Sequence, residues 1–469
     1  MQLAAYPEYK DSGHPFWGKI PAHWNLFRNG RLFAQRNETG FGELPILEVS
    51  LKTGVRVRDM DNLRRKQVMS DREKYKRAAQ GDIAYNMMRM WQGAIGVAPV
   101  DGLVSPAYVV AKPYSEVDCR YFSYLFRTTA YMNEVDAYSR GIVKDRNRLY
   151  WQDFKRMPSV VPPIAEQRQI VRFFNDAGGK IQRFIRNKRR LIELLKEQKQ
   201  NIINQAVTRG IDPNVKLKPS GVEWIGDIPE HWNLCRLRNV VSNVTSGSRG
   251  WSQYAADDGP LFIRIANLNR TSLDLRFDNV VRLNLPNTSE IQRTLVQPGD
   301  ILISITAYIG SIAVAPNDIE TAYVSQHVAR CSPLSDTINS RWLGYVLLSN
   351  VGQFHGQINL YGGTKDGLSL DDVKSYPVLL PPRSEQDAIV KYIQDESQLI
   401  DQTITRTDRE IELMREYRCR LIADVVTGQA DVRGIEVPEI ADEELLALEE
   451  GSTESEDEID ADEDLKAGE

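Results

Sequence analysis

Cysteine is scarce. The chain has four in 469 residues (Cys119, Cys235, Cys331 and Cys419), far apart and with no Cys-x-x-Cys. That spacing offers neither a disulfide framework nor a zinc framework, and it suits a reducing cytoplasm. No uncharged apolar run approaches the roughly 20 residues a membrane helix needs. The opening residues, MQLAAYPEYKDSG, lack a basic stretch and an apolar core, so no secretory leader is expected. At 42% hydrophobic and 26% charged, the composition excludes a fibrous or wholly disordered chain.

Catalytic motifs are also missing. There is no HExxH, no GxSxG and no glycine fingerprint between strand and helix. The nearest phosphate-loop match, Gly13 to Ile20, fails chemically. Ile20 has no hydroxyl for magnesium, and Pro15, Phe16 and Trp17 cannot form an amide cradle. The double prolines at 162–163 and 381–382 are not followed by an aromatic, as an adenine methyltransferase would require. Glu8 with Lys10, or Asp300 with Glu320, fits a metal-nuclease pattern only by force. An enzyme with an unrecognised hydrolase or nuclease site is therefore a minor alternative, and no metal site is expected.

The net charge of −5 looks unfavourable for binding nucleic acid, but it is unevenly spread. Residues 436–469 hold 16 acids and one base, a net of −15. Residues 1–435 carry 58 bases and 48 acids, a net of +10. The tail has no aromatic residue and is expected to be disordered beyond about residue 452.

The body repeats itself. Ile20-Pro21-Ala22-His23-Trp24-Asn25-Leu26 returns as Ile228-Pro229-Glu230-His231-Trp232-Asn233-Leu234. Gly81-Asp82-Ile83 returns at 299–301, and Gly93-Ala94-Ile95-Gly96-Val97-Ala98-Pro99 at 310–316. Pro162-Pro163-Ile164-Ala165-Glu166-Gln167 returns at 381–386 as Pro-Pro-Arg-Ser-Glu-Gln. A unit of about 210 residues is too long for a solenoid, so a duplicated domain is predicted. His23 and His231 recur beside a tryptophan, which fits a repeated fold element better than a metal ligand. In each unit, short apolar runs such as 301–305 and 312–315 predict strands and turns. A double proline then opens a helical stretch poor in glycine and proline. Ser384 and Asp387 could form a capping box at the second of these.

Both helical stretches carry a seam stepping alternately by 4 and 3. The first runs Ile181, Ile185, Lys188, Ile192, Leu195, Lys199, Ile202, Ala206. The second runs Ile400, Ile404, Thr407, Ile411, Met414, Arg418, Leu421, Val425, every position offset by 219. Two seams in register favour pairing with each other, and chain order makes the pair antiparallel with one domain at each end. Charge agrees: residues 180–200 hold 8 bases and 2 acids, residues 399–419 hold 4 and 5. Gly178-Gly179 is expected to break the first helix. The remaining straight piece, about 180–208, would be roughly 43 Å long. The predicted organisation is a domain over 1–162, a helix over 163–210, a second domain over 211–381, a helix over 382–430, and the tail. The fold class is α+β, with two repeated α/β domains separated by an antiparallel two-helix coiled coil and related by a pseudo-two-fold.

The positive chemical signal is basic. Residues 56–77 carry nine bases and four acids, Arg56 and Arg58 among them. Arg140, Lys144, Arg146 and Arg148 precede the end of the first sheet, and Tyr361-Gly362-Gly363-Thr364-Lys365 is the matching place in the second unit. A glycine-rich loop with Lys, Thr and Tyr can approach phosphates. Arg89 and Trp91 follow the first Gly-Asp-Ile segment, and Thr306 and Tyr308 the second. Arg249 and Arg264 complete the candidate DNA-binding set. Polar differences within a common frame, Asn86-Met87-Met88-Arg89 against Ser304-Ile305-Thr306-Ala307, suit readers of two different sequences.

Together, Gly-x-Ile-Pro-x-His-Trp, Gly-Asp-Ile and Pro-Pro-x-x-Glu-Gln, each present twice and in order over about residues 6–432, resemble the specificity subunits of type I restriction–modification systems. The resemblance implies two target recognition domains on double-stranded DNA, each reading half of a split site. It implies helices that set the unread gap and dock methyltransferase subunits, two of them expected, with restriction subunits joining the complex. The chain itself would be non-catalytic and cofactor-free, with S-adenosylmethionine, ATP and Mg2+ on the partners. The acidic tail is outside the family pattern. Two alternatives remain: a specificity subunit whose cleavage and methylation partner is a single fused chain, and a coiled-coil scaffold that binds protein.

Overall fold

The computed structural model of the chain describes residues 3–51, 53–58, 72–140, 147–285, 289–358 and 367–438. The tail beyond 452 lies outside these residues. The chain divides into two compact units, residues 1–187 with 409–469, and residues 188–408. Each unit holds one repeat's sheet domain, the start of the long helix that follows it, and the end of the other long helix.

The first domain is built on a four-stranded antiparallel sheet in the order Phe33–Arg36, Tyr108–Pro113, Ile83–Asn86, Ile95–Val97. The second repeats it as Val241–Ser246, Val328–Pro333, Ile301–Ser304, Ile312–Val314. The inner strands are mostly apolar and buried. The additional strands differ. In the first domain they are two hairpin-like ladders, Leu47–Ser50 with Gly54–Val57 and Lys76–Ala78 with Gly102–Val104. In the second, Ala255–Ile263 lies between Val281–Leu283 and Ala322–Val324, and the latter pairing is parallel.

The repeated motifs are structural joints. Gly81 and Gly299 turn the chain at φ of 88° and 83°, a region that favours glycine. The next residue's carboxylate accepts from the backbone N–H three residues back, Asp82 from Ala79 and Asp300 from Gln297. Asp82 also accepts from Arg36 Nε at 2.6 Å. Asp300 accepts from Ser332 at 2.7 Å and lies near Arg330, although burial still pushes its carboxyl up. Neither aspartate is free for metal chemistry, and Glu320 is held by Arg282. No cluster of potential metal ligands occurs among the described residues.

The second joint explains why His-Trp and Glu-Gln recur together. Glu166 Oε1 accepts from Trp24 Nε1 at 3.0 Å, and Oε2 bonds His23 Nε2 at 2.7 Å. Glu385 does the same with Trp232 at 3.1 Å and His231 at 2.8 Å. The following glutamine spans the double proline. Gln167 Nε2 donates to the Pro162 carbonyl and its Oε1 accepts from Asp118 N; Gln386 repeats this with Pro381 and Asn339. One glutamine side chain thus satisfies a proline carbonyl and the N–H of a residue that caps a helix of the domain. The domain is thereby fastened to the first turn of its helix.

The first long helix runs Ile164–Arg209 and the second Arg383–Val426. Gly178-Gly179 does not break the first, contrary to expectation. Phe173 and Phe174 before the pair, and Ile181 and Ile185 after it, are all buried, so packing on both sides offsets a propensity cost of about 1 kcal/mol per glycine. The expected capping box is also absent. Ser384 already lies inside the helix, and Asp387 Oδ1 accepts from Asn339 and Arg383 instead. All eleven apolar seam positions singled out are buried or half-buried. Ile181, Ile185, Ile192, Ile400, Ile411, Leu421 and Val425 are buried, whereas Leu195, Ile202, Ile404 and Met414 are half-buried. In the second unit Lys199 Nζ meets Asp401 at 2.7 Å, while Gly210, just past the first helix, lies beside Glu385. The two stretches therefore run antiparallel there. In the first unit Gln169, near the first helix's start, donates to the carbonyls of Val432 and Ile435, beyond the second helix's end.

Both helices end alike. Gly210 at φ 74° faces Trp232, and Gly428 at φ 78° is so close to Pro21 that a β-carbon would sit 2.3 Å from its ring. The left-handed glycine is the usual way to close a helix, and here it also lets the backbone reach the buried tryptophan. No helix among the described residues is long and apolar enough to cross a membrane.

Candidate nucleic-acid interface

In each domain the loop after the Gly-Asp-Ile strand is hydrogen-bonded by the segment that precedes the double proline. In the first, Leu149 N donates to Met87 O, and Arg140 and Arg148 form an isolated antiparallel bridge. In the second, Leu368 N donates to Ile305 O and Gly367 bridges Thr306. The segment before the double proline is thus drawn against this loop in both repeats.

The first domain's surface carries Arg89, exposed, and Trp91, half-buried with Nε1 donating to Met88 O. Arg148 is exposed. Arg140 is also exposed, but its guanidinium is engaged by the buried Asp153 at 2.7 Å. Lys144 and Arg146 lie outside the described residues. Arg56 is turned across its hairpin to Glu48 at 2.7 Å, and Arg58 is half-buried. Within the 56–77 cluster, Arg77 is bound by Glu38 and Asp101, and Lys76 donates to Tyr108 O with burial pulling its pKa down. Several of these bases therefore serve their own domain.

The second domain differs. The loop at 305–310 holds two consecutive non-glycine residues in the left-handed region, Ala307 at φ 34° and Tyr308 at φ 44°. Such strain persists only where surroundings enforce it. Here Ser304 Oγ donates to the carbonyls of Thr306 and Ala307, and Ser311 Oγ donates to that of Tyr308. Tyr308 is left 45% exposed, with Arg270 over its ring at 5.6 Å. Arg249 is exposed two residues after Gly247, which is packed so tightly on Val324 and Ser325 that no β-carbon fits. Arg264 points elsewhere, to Asn279. Tyr361, Thr364 and Lys365 lie outside the described residues.

Three polar residues at this place were not among those singled out from sequence: Arg270, Gln326 and His327. Gln326 and His327 are neither lysine nor arginine, so a search for lysine and arginine clusters passes over them. Aligning Leu103-Val104-Ser105-Pro106-Ala107 with Tyr323-Val324-Ser325-Gln326-His327 would have found them, because the serine turn is shared and the next two residues are not.

Residues 262–413 match the family model described as the type I restriction modification DNA specificity domain. Over that stretch the chain resembles the type I restriction–modification specificity subunits. It is similar to the specificity subunit of the restriction enzyme MjaVIII of Methanocaldococcus jannaschii, 24% identical over 60% of this chain and 64% of that one. It is similar to that of EcoBI of Escherichia coli, 26% identical over 50% of each chain. The chain therefore spans less than two thirds of the length of either relative. A solved structure concerned with complex assembly and conformational transition of the type I R-M system shares the fold, at TM-score 0.59 and 18% identity, over 87% of this chain and 98% of that one. The matched stretch covers the second domain's loop at 305–310, the Gln326–His327 turn and most of the second helix.

Proposed function

We propose that the chain is the non-catalytic DNA-reading subunit of a type I restriction–modification complex, each domain reading one half of a split site. The observation that carries this reading is the duplicated frame with unlike polar tips. The sheets, joints and helix ends repeat, while the residues displayed at equivalent loops do not. A frame kept constant around variable contacts is what two readers of different sequences require. The basic body supplies the sequence-independent attraction to phosphates. The paired helices set the unread gap and offer methyltransferase subunits a docking surface. Those partners bring adenine methylation with S-adenosylmethionine, and restriction subunits bring ATP-driven cleavage with Mg2+.

The test is to assemble the chain with its methyltransferase partner and map methylated adenines across a genome. The reading expects two fixed half-sites separated by a constant gap of unread bases. A single contiguous site, or methylation without sequence preference, overturns it. Cleavage of DNA by the chain alone with magnesium would overturn its non-catalytic role.

A further inference from the structure

The Ser325 turn of the second domain carries a hydrogen-bonded side-chain relay. Thr306 Oγ1 lies 2.8 Å from His327 Nδ1, and His327 Nε2 lies 2.8 Å from Gln326 Nε2. An amide nitrogen can only donate, so His327 Nε2 accepts and the ring proton sits on Nδ1, donated to Thr306. Each member thereby fixes the next. Backbone bonds hold both ends of the relay: Ile305 N donates to His327 O, and Thr306 bridges Gly367. This arrangement leaves Gln326 with one amide hydrogen and its Oε1 unused among the described residues. It is a donor beside an acceptor, held in a fixed orientation on a turn bonded to the loop that presents Tyr308 with Arg270 over its ring.

A donor and acceptor side by side match one base edge in the major groove, the adenine N6 amino group with N7. Holding the amide in place beforehand removes rotamer entropy that binding would otherwise cost. At the equivalent turn the first domain has Pro106 and Ala107, and Met88 replaces Thr306, so no such relay can form there. The backbone turn itself is the same, with Tyr108 N donating to Ser105 O and Val328 N to Ser325 O. The difference lies in side chains alone.

We infer that Gln326 is a specificity-determining residue of the second domain, reading an adenine in that domain's half-site, with His327 and Thr306 as its positioning residues. This rests on the proposed function above. The experiment uses the full chain assembled with its methyltransferase partner, and reads methylation and binding on a library randomised at both half-sites. Gln326→Ala should cost about tenfold in preference at one A·T pair, in line with the loss of one bidentate contact. The other half-site should be unchanged. Gln326→Glu replaces the donor with an acceptor and should shift that position toward C, a gain that misfolding cannot mimic. Thr306→Val should relax the same position while Thr306→Ser restores it. A wild-type complex with no two-part motif overturns the underlying reading and this inference with it. A two-part motif left unaltered by Gln326→Ala and Gln326→Glu overturns this inference alone.

Discussion

After Val104 the first domain turns through Ser105, Pro106 and Ala107; after Val324 the second turns through Ser325, Gln326 and His327. The backbone hydrogen bond closing the turn is common to both. One turn displays a rigid apolar tip, the other an oriented amide. The same contrast runs through the neighbouring loop, where Met88 and Arg89 stand against Thr306, Ala307 and the exposed ring of Tyr308. The serine turns therefore share one geometry and differ in side chains, whereas the neighbouring loops differ in backbone too, with Ala307 and Tyr308 left-handed and Arg89 at φ −125°.

The joints are not quite equal, and that is the largest difference to test. Glu166 is buried and accepts a third bond, from Tyr6 Oη at 2.6 Å, which together with burial pushes the tyrosine's pKa up. Glu385 has no such partner among the described residues, and its side chain is 27% exposed. Glu166→Ala should destabilise the first unit by about 3 kcal/mol, through donors left unsatisfied in the interior, and Glu385→Ala the second by about 1 kcal/mol. Denaturant unfolding followed by tryptophan fluorescence should show the first transition moving further than the second. Equal shifts would mean that the extra tyrosine bond contributes nothing.

Next in size is an opposition in pH response. Counted from Thr128 and Ser349, whose hydroxyls each bond a carbonyl three residues back, Glu134 and His355 occupy the same place. Glu134 is buried, and that burial pushes its carboxyl up to about 7; His14 Nε2 is 3.5 Å away. The folded state therefore favours the neutral acid, and the first unit loses stability as pH rises from about 4.5 through about 7, on the order of 2 kcal/mol. His355 has its pKa pulled down by burial, so the second unit loses stability as pH falls below the ordinary histidine value. Thermal melts from pH 5 to pH 8 should move the two transitions in opposite directions. Glu134→Gln should flatten the first slope alone, and a slope unchanged by it would contradict the assignment.

A smaller effect distinguishes surface bases from internally paired ones. Arg89→Ala should weaken DNA binding about fivefold and reduce the salt slope by roughly one, as expected for a lost phosphate contact. Arg264→Ala, which removes a guanidinium turned to Asn279, should leave the slope unchanged. Titration by fluorescence anisotropy at several salt concentrations separates the two. The smallest effect belongs to the acidic tail. Deleting 439–469, which spares Ile435 and Val437 packed on the first core, should raise non-specific affinity at low salt by on the order of twofold. Unchanged affinity would mean that the tail does not screen the body.

The duplication was legible because the joints need particular chemistry: an indole and an imidazole for one carboxylate, and a glutamine for a proline carbonyl. The seams were legible from their spacing. Helix continuity through Gly178-Gly179 was not, since propensity counts the glycines and not the phenylalanines and isoleucines buried on either side. Charge clusters do not distinguish free bases from paired ones, because sequence does not show the partners. Arg56 and Arg77 face carboxylates within their own domain. Gln326 and His327 were passed over for the opposite reason, being neither lysine nor arginine and joined only through Thr306, which another loop supplies.

The central claim is that each domain reads one half-site independently. The most direct measurement replaces residues 25–160 with the corresponding domain of another specificity subunit and maps the methylome of a strain carrying the chimera with its methyltransferase. The account predicts one half-site exchanged, with the other half-site and the gap retained. A change in both half-sites would contradict it.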